Sequence, residues 1–357
     1  MRMRFLSAML LIFSCTFCLS CRTAPYPDPY EEYRRSLQEE IGELDWSGWP
    51  QIQSIDAVGE NERQYREYFH IDWPELEQTV YYRLGTVSWQ NGLLGVQVFL
   101  PREASQGTIF FAPGYLAQSG IFSDFIQYLC QQGFAVIAFD LPGHGISSGD
   151  RADIDSFENY GNAAAALVDF VQQKKDVFLE QGLTAAQALP QPWYAVGHST
   201  GGATFMIFAE QKRRQQAELP FRAYALLSPL VRPVFWTPAI VFAHISYPIR
   251  RHFRPLKQSP ELLGVETFPS NWAFSLSRWR SEIDDYAQFD FPVFLSQGGR
   301  DTTLNYKAGT RFVREHFPQT ESHFYPELGH IIHQTSPLHR AVWQDMVRFF
   351  QNLSLIE

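Results

Sequence analysis

Cysteine is scarce. Of the four in 357 residues, Cys15, Cys18 and Cys21 crowd the N-terminus and only Cys130 lies in the body of the chain. A disulfide framework within the domain is thereby excluded. Cys130 falls in the apolar pattern of a helix and reads as a buried thiol rather than a nucleophile. Basic charge is thin as well. Lys and Arg total 29 against 38 Asp and Glu, a formal net charge of −9, with no long Lys/Arg run. The concentrated basic face that nucleic-acid phosphates demand is missing, so a nucleic-acid partner is not expected. Biased tracts and internal repeats are absent too. What remains is ordinary globular composition, 45% hydrophobic, enough for a sizeable core in one large domain with an insertion or in two modest ones.

The N-terminus stands apart. Arg2 and Arg4 precede an apolar run from Phe5 to Leu19, short for a bilayer span and built like the core of an export signal. Residues 1–21 are therefore set aside from the fold. The run ends in Cys18-Leu19-Ser20-Cys21, which resembles a bacterial lipoprotein signal, where a small residue precedes the cysteine that is lipidated and becomes the mature N-terminus. On that resemblance Cys21 is the lipidation site. The protein is then an exported, membrane-anchored lipoprotein of the bacterial cell envelope, facing the periplasm or the exterior. Plain cleavage nearby and an uncleaved anchor are the alternatives. Residues 22–78 read as a spacer and extension. Pro25-Tyr-Pro-Asp-Pro29 is too rich in proline for a helix, and Tyr30 to about Gln78 is polar, with no role evident beyond packing on the outside.

From Thr79 the pattern changes. Thr79–Trp89 and Leu93–Leu100, separated by Gln90-Asn91-Gly92, predict a β-hairpin. Short apolar runs then recur at Thr108–Ala112, Phe134–Phe139, Trp193–Val196, Ala223–Leu227 and Val293–Ser296, with a weaker one at His323–Tyr325. Helical patterns lie at about Ser119–Gln132, Ser156–Gln181, Thr200–Gln215, Tyr306–His316 and Pro337–Asn352. Continuous apolar strands separated by helices mean a mostly parallel sheet covered on both faces, entered through an antiparallel hairpin. One interval of roughly sixty residues, between Ser228 and Val293, exceeds what a crossover needs. Its many aromatics, Phe235, Trp236, Phe242, Tyr247, Phe253, Phe268, Trp272, Phe274 and Trp279 among them, predict a helical cap over about 230–290, lying at the carboxyl ends of the strands where ligands bind.

The sharpest chemical signal is Gly197-His198-Ser199-Thr200-Gly201, placed between a predicted strand and a predicted helix. This is G-x-S-x-G in its meaningful context: the serine sits on a sharp turn, and the flanking Gly197 and Gly201 avoid collisions there. A serine hydroxyl needs a base to take its proton. Among ten histidines, His330 is preferred because it follows the last strand and precedes the last helix, at the same edge as Ser199. His333, about one turn on, is the nearest rival. The base needs a carboxylate to hold its tautomer, and Asp301 ends the run from Val293 through a glycine turn at that edge, whereas Asp284, Asp285 and Asp290 precede the strand. Oxyanion donors are expected from the backbone N–H of Thr200 and of Tyr115, the latter in the loop Pro113-Gly114-Tyr115.

With these motifs in order, the chain resembles the monoglyceride lipase and lysophospholipase branch of the α/β-hydrolase superfamily, over about Thr79 to Asn352. Pro113-Gly114 stands where that family has His-Gly, and Asp140-Leu-Pro-Gly-His-Gly-Ile-Ser-Ser-Gly149 is similar to its loop after the next strand. Gly197–Gly201, Gly299-Arg300-Asp301 and Gly329-His330 match its three triad positions. The resemblance implies an α/β-hydrolase fold spanning 79–352. It also implies hydrolysis of a carboxylic ester, such as a monoacylglycerol or lysophospholipid, with no metal and no organic cofactor. A thioesterase and a prolyl-type aminopeptidase are the alternatives on this fold; the peptidase needs an amine-binding carboxylate, for which Glu261, Glu266 and Glu282 are available. A catalytically inert lipoprotein binding module is the non-enzymatic alternative. Finally, Tyr247-Pro-Ile-Arg250-Arg251-His252-Phe253-Arg254-Pro-Leu-Lys257 alternates basic and apolar residues. It reads as a solvated face or as a strip for anionic lipid head groups.

Overall fold

The computed structural model describes residues 25–45, 55–73, 80–90, 92–102, 106–180, 189–249, 251–253, 261–265, 267–331 and 336–354. Cys21, Glu266, Arg250, Arg254, Lys257 and His333 lie outside them.

Two helices, α1 (Glu31–Ile41) and α2 (Glu60–Tyr68), come first. The hairpin follows as β1 (Val80–Trp89) and β2 (Gly92–Pro101), paired antiparallel from Val80–Pro101 to Trp89–Gly92. Then strand and helix alternate: β3 (Gly107–Ala112), α3 (Ser123–Gln131), β4 (Phe134–Phe139), α4 (Glu158–Glu180), β5 (Trp193–His198), α5 (Thr200–Arg214) and β6 (Phe221–Leu227). The insertion holds α6 (Trp236–Ser246), two short paired strands, β7 (His252–Phe253) and β8 (Phe268–Pro269), and α7 (Ser270–Glu282). The chain closes with β9 (Val293–Gly298), α8 (Tyr306–His316), β10 (Thr320–Tyr325) and α9 (Pro337–Ser354). The main sheet runs in the order β1-β2-β4-β3-β5-β6-β9-β10. Within it β4, β3, β5, β6, β9 and β10 are mutually parallel, and β2 joins β4 antiparallel, so the hairpin forms the antiparallel edge of this sheet.

The period of two along each strand divides the core. In β4, Ala135, Ile137 and Phe139 join α4, α5 and α8 on one face, while Phe134, Val136 and Ala138 join α2, α3 and α9 on the other. Each of the larger ones, Phe134, Val136, Ile137 and Phe139, fully buried, contributes about 1.5–3 kcal/mol relative to exposure. Both faces being covered explains why β3, β4 and β5 are apolar without alternation.

The extension is more than an outer layer. Leu37, Tyr65 and Arg66 are completely buried, and the Arg66 guanidinium sits 4.9 Å from the centre of the Tyr82 ring on β1. The insertion, expected to be helical, is helical at both ends with the two-residue ladder between. Its α7 lies on the loop after β3, where Trp272 stacks on Tyr115 with ring centres 3.9 Å apart.

Candidate active site

Strand β5 delivers Ser199 to a turn with φ 52° and ψ −113°, a backbone conformation that a non-glycine residue adopts only when its surroundings enforce it. The glycines permit the close packing that enforces it. An ideally placed Cβ on Gly201 would stand 2.0 Å from Ala112 O, and one on Gly197 would stand 2.3 Å from the Gly201 carbonyl carbon. Helix α5 can approach the strands so closely only without side chains there. Ser199 N donates to Leu227 O at 3.0 Å, and Ser199 O accepts from Leu230 N at 2.9 Å, which ties the turn to the end of β6.

His330 and Asp301 arrive on two loops packed backbone against backbone. A Cβ on Gly298 would stand 2.2 Å from Gly329 O, and Arg300 N donates to Leu328 O at 2.8 Å. His330 Nε2 lies 2.9 Å from Ser199 Oγ, and His330 Nδ1 lies 2.8 Å from Asp301 Oδ2. The structure thus brings together the three side chains that the sequence singled out.

The remaining bonds of Asp301 set its charge. Oδ1 accepts from Thr303 N and Leu304 N, each at 2.8 Å, and Oδ2 also accepts from Gln297 Nε2 at 3.2 Å. Burial by itself would raise this carboxyl; the hydrogen bond and charge of His330, with the two amides, outweigh it and hold the group below the usual carboxylate range. An ionised Oδ2 only accepts, so Nδ1 carries the imidazole proton and Nε2 presents its lone pair to Ser199. A hydroxyl, an imidazole in this tautomer and a fixed carboxylate can together generate an alkoxide-like nucleophile.

Thr200 opens α5, where a first-turn N–H has no carbonyl of its own helix to meet. The loop carrying Tyr115 lies beside the serine: a Cβ on Gly114 would be 3.1 Å from Ser199 Cβ. The Tyr115 side chain turns away, donating its hydroxyl to Ala152 O at 2.8 Å, so only its backbone N–H is a candidate donor.

Several neighbours complete the site; His144 and His198, which adjoin turns in the sequence and suit hydrogen-bonding roles in the loops, have those roles here. His198 Nε2 donates to His330 O at 2.9 Å, stitching the base to the residue before the nucleophile. Gln297 and Trp272 contact Asp301 and Tyr115 from positions whose sequence carries no chemical signature. His144, buried, donates Nδ1–H to Pro142 O at 2.9 Å, and burial pushes its pKa down to about 3. It holds a loop together as a neutral ring. Glu282 is exposed at the end of α7. A cavity of about 360 Å³ opens beside Asp301, lined by Arg232, Trp236, Tyr306 and Lys307 among others; neither Glu261 nor Glu282 borders it. A larger one, about 690 Å³, lies between the N-terminal segment, residues 149–155 and the insertion, and no triad residue lines it. Among the described residues no group of three or more His, Cys, Asp and Glu is arranged to hold a metal ion, and no helix is long and apolar enough to cross a membrane.

A parallel sheet with an antiparallel edge, a serine on a strained strand-to-helix turn and an acid and a base at the same edge define an α/β-hydrolase. Residues 103–336 match the family described as serine aminopeptidase, S33, and the chain belongs to that family. An uncharacterised abhydrolase domain-containing protein of Dictyostelium discoideum is 24% identical over 238 residues, 61% of this chain; those residues span only 23% of the length of that relative. Among solved structures, a soluble variant of monoglyceride lipase from Saccharomyces cerevisiae, in complex with a substrate analogue, superposes with a TM-score of 0.61. It is 17% identical, covering 78% of this chain and 97% of its own. A monoacylglycerol lipase from Paleococcus ferrophilus gives a TM-score of 0.56 at 19% identity, covering 72% and 98%. At such identities the likeness is one of fold.

Proposed function

We propose that the protein is a serine hydrolase that cleaves a carboxylic ester of a lipid, such as a monoacylglycerol or lysophospholipid. The observation that carries this reading is the pair of hydrogen bonds at 2.9 and 2.8 Å that joins Ser199, His330 and Asp301. Ser199 Oγ attacks the ester carbonyl as His330 Nε2 takes its proton. The oxyanion is received by the N–H groups of Thr200 and Tyr115. His330 then protonates the leaving alkoxide, and a water repeats the sequence on the acyl-enzyme, while Asp301 stays ionised throughout.

A lipid substrate is favoured by the surface of α6. In Trp236–Ser246 only Ala243 is buried, and Phe235, Val241, Ile245 and Ile249 are 73%, 51%, 73% and 59% exposed. Apolar groups of this size, exposed on α6 and at its two ends, suit contact with lipid. A tether at Cys21 in the cell envelope would hold the insertion near such a surface at high effective concentration. Arg251, whose guanidinium lies 4.9 Å from the Tyr247 ring centre, is the described member of the basic strip that would meet anionic head groups.

The test is labelling with a fluorophosphonate, combined with turnover of monoacylglycerol, lysophospholipid and an N-terminal prolyl amide. Labelling and ester cleavage that both vanish in Ser199→Ala are expected. Turnover of the prolyl amide alone would replace the esterase with a peptidase, and a folded protein that neither labels nor turns over any of the three would leave a binding module.

A further inference from the structure

Helices α1 and α2 precede the residues that match the family, and one of their side chains reaches the loop that leads from β3 to α3. Tyr65 on α2 has no exposed surface. Its hydroxyl accepts from Gln97 Nε2 at 3.2 Å, and the same nitrogen donates to Ser119 Oγ at 2.8 Å. Tyr82 closes the other end by donating its hydroxyl to Gln97 Oε1 at 3.1 Å. Ser119 in turn gives both of its hydrogens to one carboxylate oxygen, with N and Oγ at 2.6 and 2.7 Å from Asp140 Oδ1. Ile146 N donates to the second oxygen at 2.8 Å.

Gln97, Ser119 and Asp140 are all buried, so water cannot substitute for a missing link, and each group depends on the one before it. The packing is equally close. A Cβ on Gly120 would stand 2.7 Å from the Phe69 ring and 2.9 Å from the Tyr65 hydroxyl; extension and loop are in direct contact. Burial pushes the Asp140 carboxyl up against the pull of its three donors, which makes those donors costly to lose.

The segment 113–118 is therefore held at one end by β3 and at the other by Ser119. Tyr115 lies within it. Oxyanion stabilisation depends on donors fixed in advance at about 2.7–3.1 Å from the charge they receive, and such donors need a supporting layer. Resting on the reading that Tyr115 N–H is one of them, we propose that Tyr65 of the N-terminal extension is a positioning residue that sets the oxyanion loop through Gln97 and Ser119.

Tyr65→Phe in the full chain removes the hydroxyl and keeps the ring. With a short-chain nitrophenyl ester, kcat per fluorophosphonate-titrated site is expected to fall about tenfold while KM changes less than about threefold, since the lost interaction acts in the transition state. Affinity for a trifluoromethyl ketone, whose tetrahedral adduct uses the same donors, should fall in parallel. Ser119→Ala breaks the chain one link nearer the loop and should show the same pattern; adding Tyr65→Phe to it should cost little more. Tyr33→Phe, which removes an extension hydroxyl bonded to Asn61 O at 2.8 Å outside this network, should leave kcat unchanged. A Tyr65→Phe protein with a lowered melting temperature but kcat within twofold of wild type would overturn the proposal, leaving Tyr65 a structural residue only. If that variant does not fold, Ser119→Ala with kcat within twofold overturns it instead. A wild-type protein that neither labels nor hydrolyses overturns the esterase reading and this proposal together.

Discussion

Replacing Asp301 by asparagine changes almost nothing in shape and should remove nearly all activity. Asp301 Oδ1 faces two backbone N–H groups at 2.8 Å. Turning an NH2 group toward them would oppose donor to donor twice, at about 1–3 kcal/mol for each buried amide left unsatisfied. The asparagine oxygen therefore stays there, and its NH2 takes the place of Oδ2, against His330 Nδ1 and opposed only by the single, longer Gln297 donor at 3.2 Å. That nitrogen must then accept, which moves the ring proton to Nε2 and removes the lone pair offered to Ser199. A wrong tautomer in a triad of this kind costs about 10⁴ in kcat, equivalent to about 5.4 kcal/mol. Asp301→Ala, which imposes no opposing donor, should be no worse. The assay is kcat and KM for a nitrophenyl ester, with folding checked by urea titration, and KM should change little. The same titration tests the charge. A carboxyl whose folded pKa lies below its unfolded one stabilises the fold above the unfolded value, and that stability is lost as pH falls through the folded value. Wild type should then lose stability faster than Asp301→Asn on acidification below the usual carboxylate range. Folded Asp301→Asn with kcat within tenfold of wild type would refute the argument that Asp301 sets the tautomer.

Gly201→Ala should destabilise the protein by about 3 kcal/mol, because the new Cβ meets backbone at 2.0 Å; an unchanged urea midpoint would contradict the close approach of α5. His144 has its pKa depressed to about 3 by burial against about 6.5 unfolded, so its contribution is intact above pH 6.5 and declines as pH falls toward 3. His144→Asn, which keeps a donor for Pro142 O, should flatten the stability profile across that window by up to about 1.4 kcal/mol per pH unit; parallel profiles would count against a neutral buried ring. Val241→Asp with Ile245→Asp should cut vesicle binding and long-chain ester turnover about tenfold while sparing a soluble short-chain ester. Equal losses on both substrates would mean that α6 serves the fold and not a lipid surface.

Sequence pattern was most informative where burial is two-sided. Strand β4 was read to the residue, because Phe134–Phe139 has no polar face to blur its limits. Strand β10 was read over three residues and spans six; at the sheet edge, TESHFY carries polar residues outward and looks like a loop. The helical pattern from Ser119 begins as a short 3-10 turn, Ser119–Phe122, before α3, with the Ser119 N–H and hydroxyl bonded to Asp140. Ser199, Asp301 and His330 were legible as residues at one sheet edge, since topology sends the carboxyl ends of parallel strands to one side. The supports from Gln297 and from the N-terminal extension were not. Gln297 sits inside a strand, and α2 reads ENERQYREY, a sequence whose polarity conceals that Tyr65 and Arg66 are buried. Gln97, bonded to the Tyr65 hydroxyl, and the Tyr82 ring and Glu62 carboxylate beside the Arg66 guanidinium make that burial tolerable.

The backbone contact between Gly298 and Gly329 carries a consequence for how errors of position are shared. Because the acid's turn and the base's turn rest on each other, a displacement of one carries the other with it, and the separation of Nδ1 from Oδ2 survives as a correlated motion. Misalignment must then accumulate at the opposite joint, between Nε2 and the serine on its separately supported turn. His198, bonded to the His330 carbonyl, is the one side chain described above that spans that joint. Efforts to retune the working temperature of this protein therefore have a definite target: the tolerance of one seam, and the histidine that crosses it.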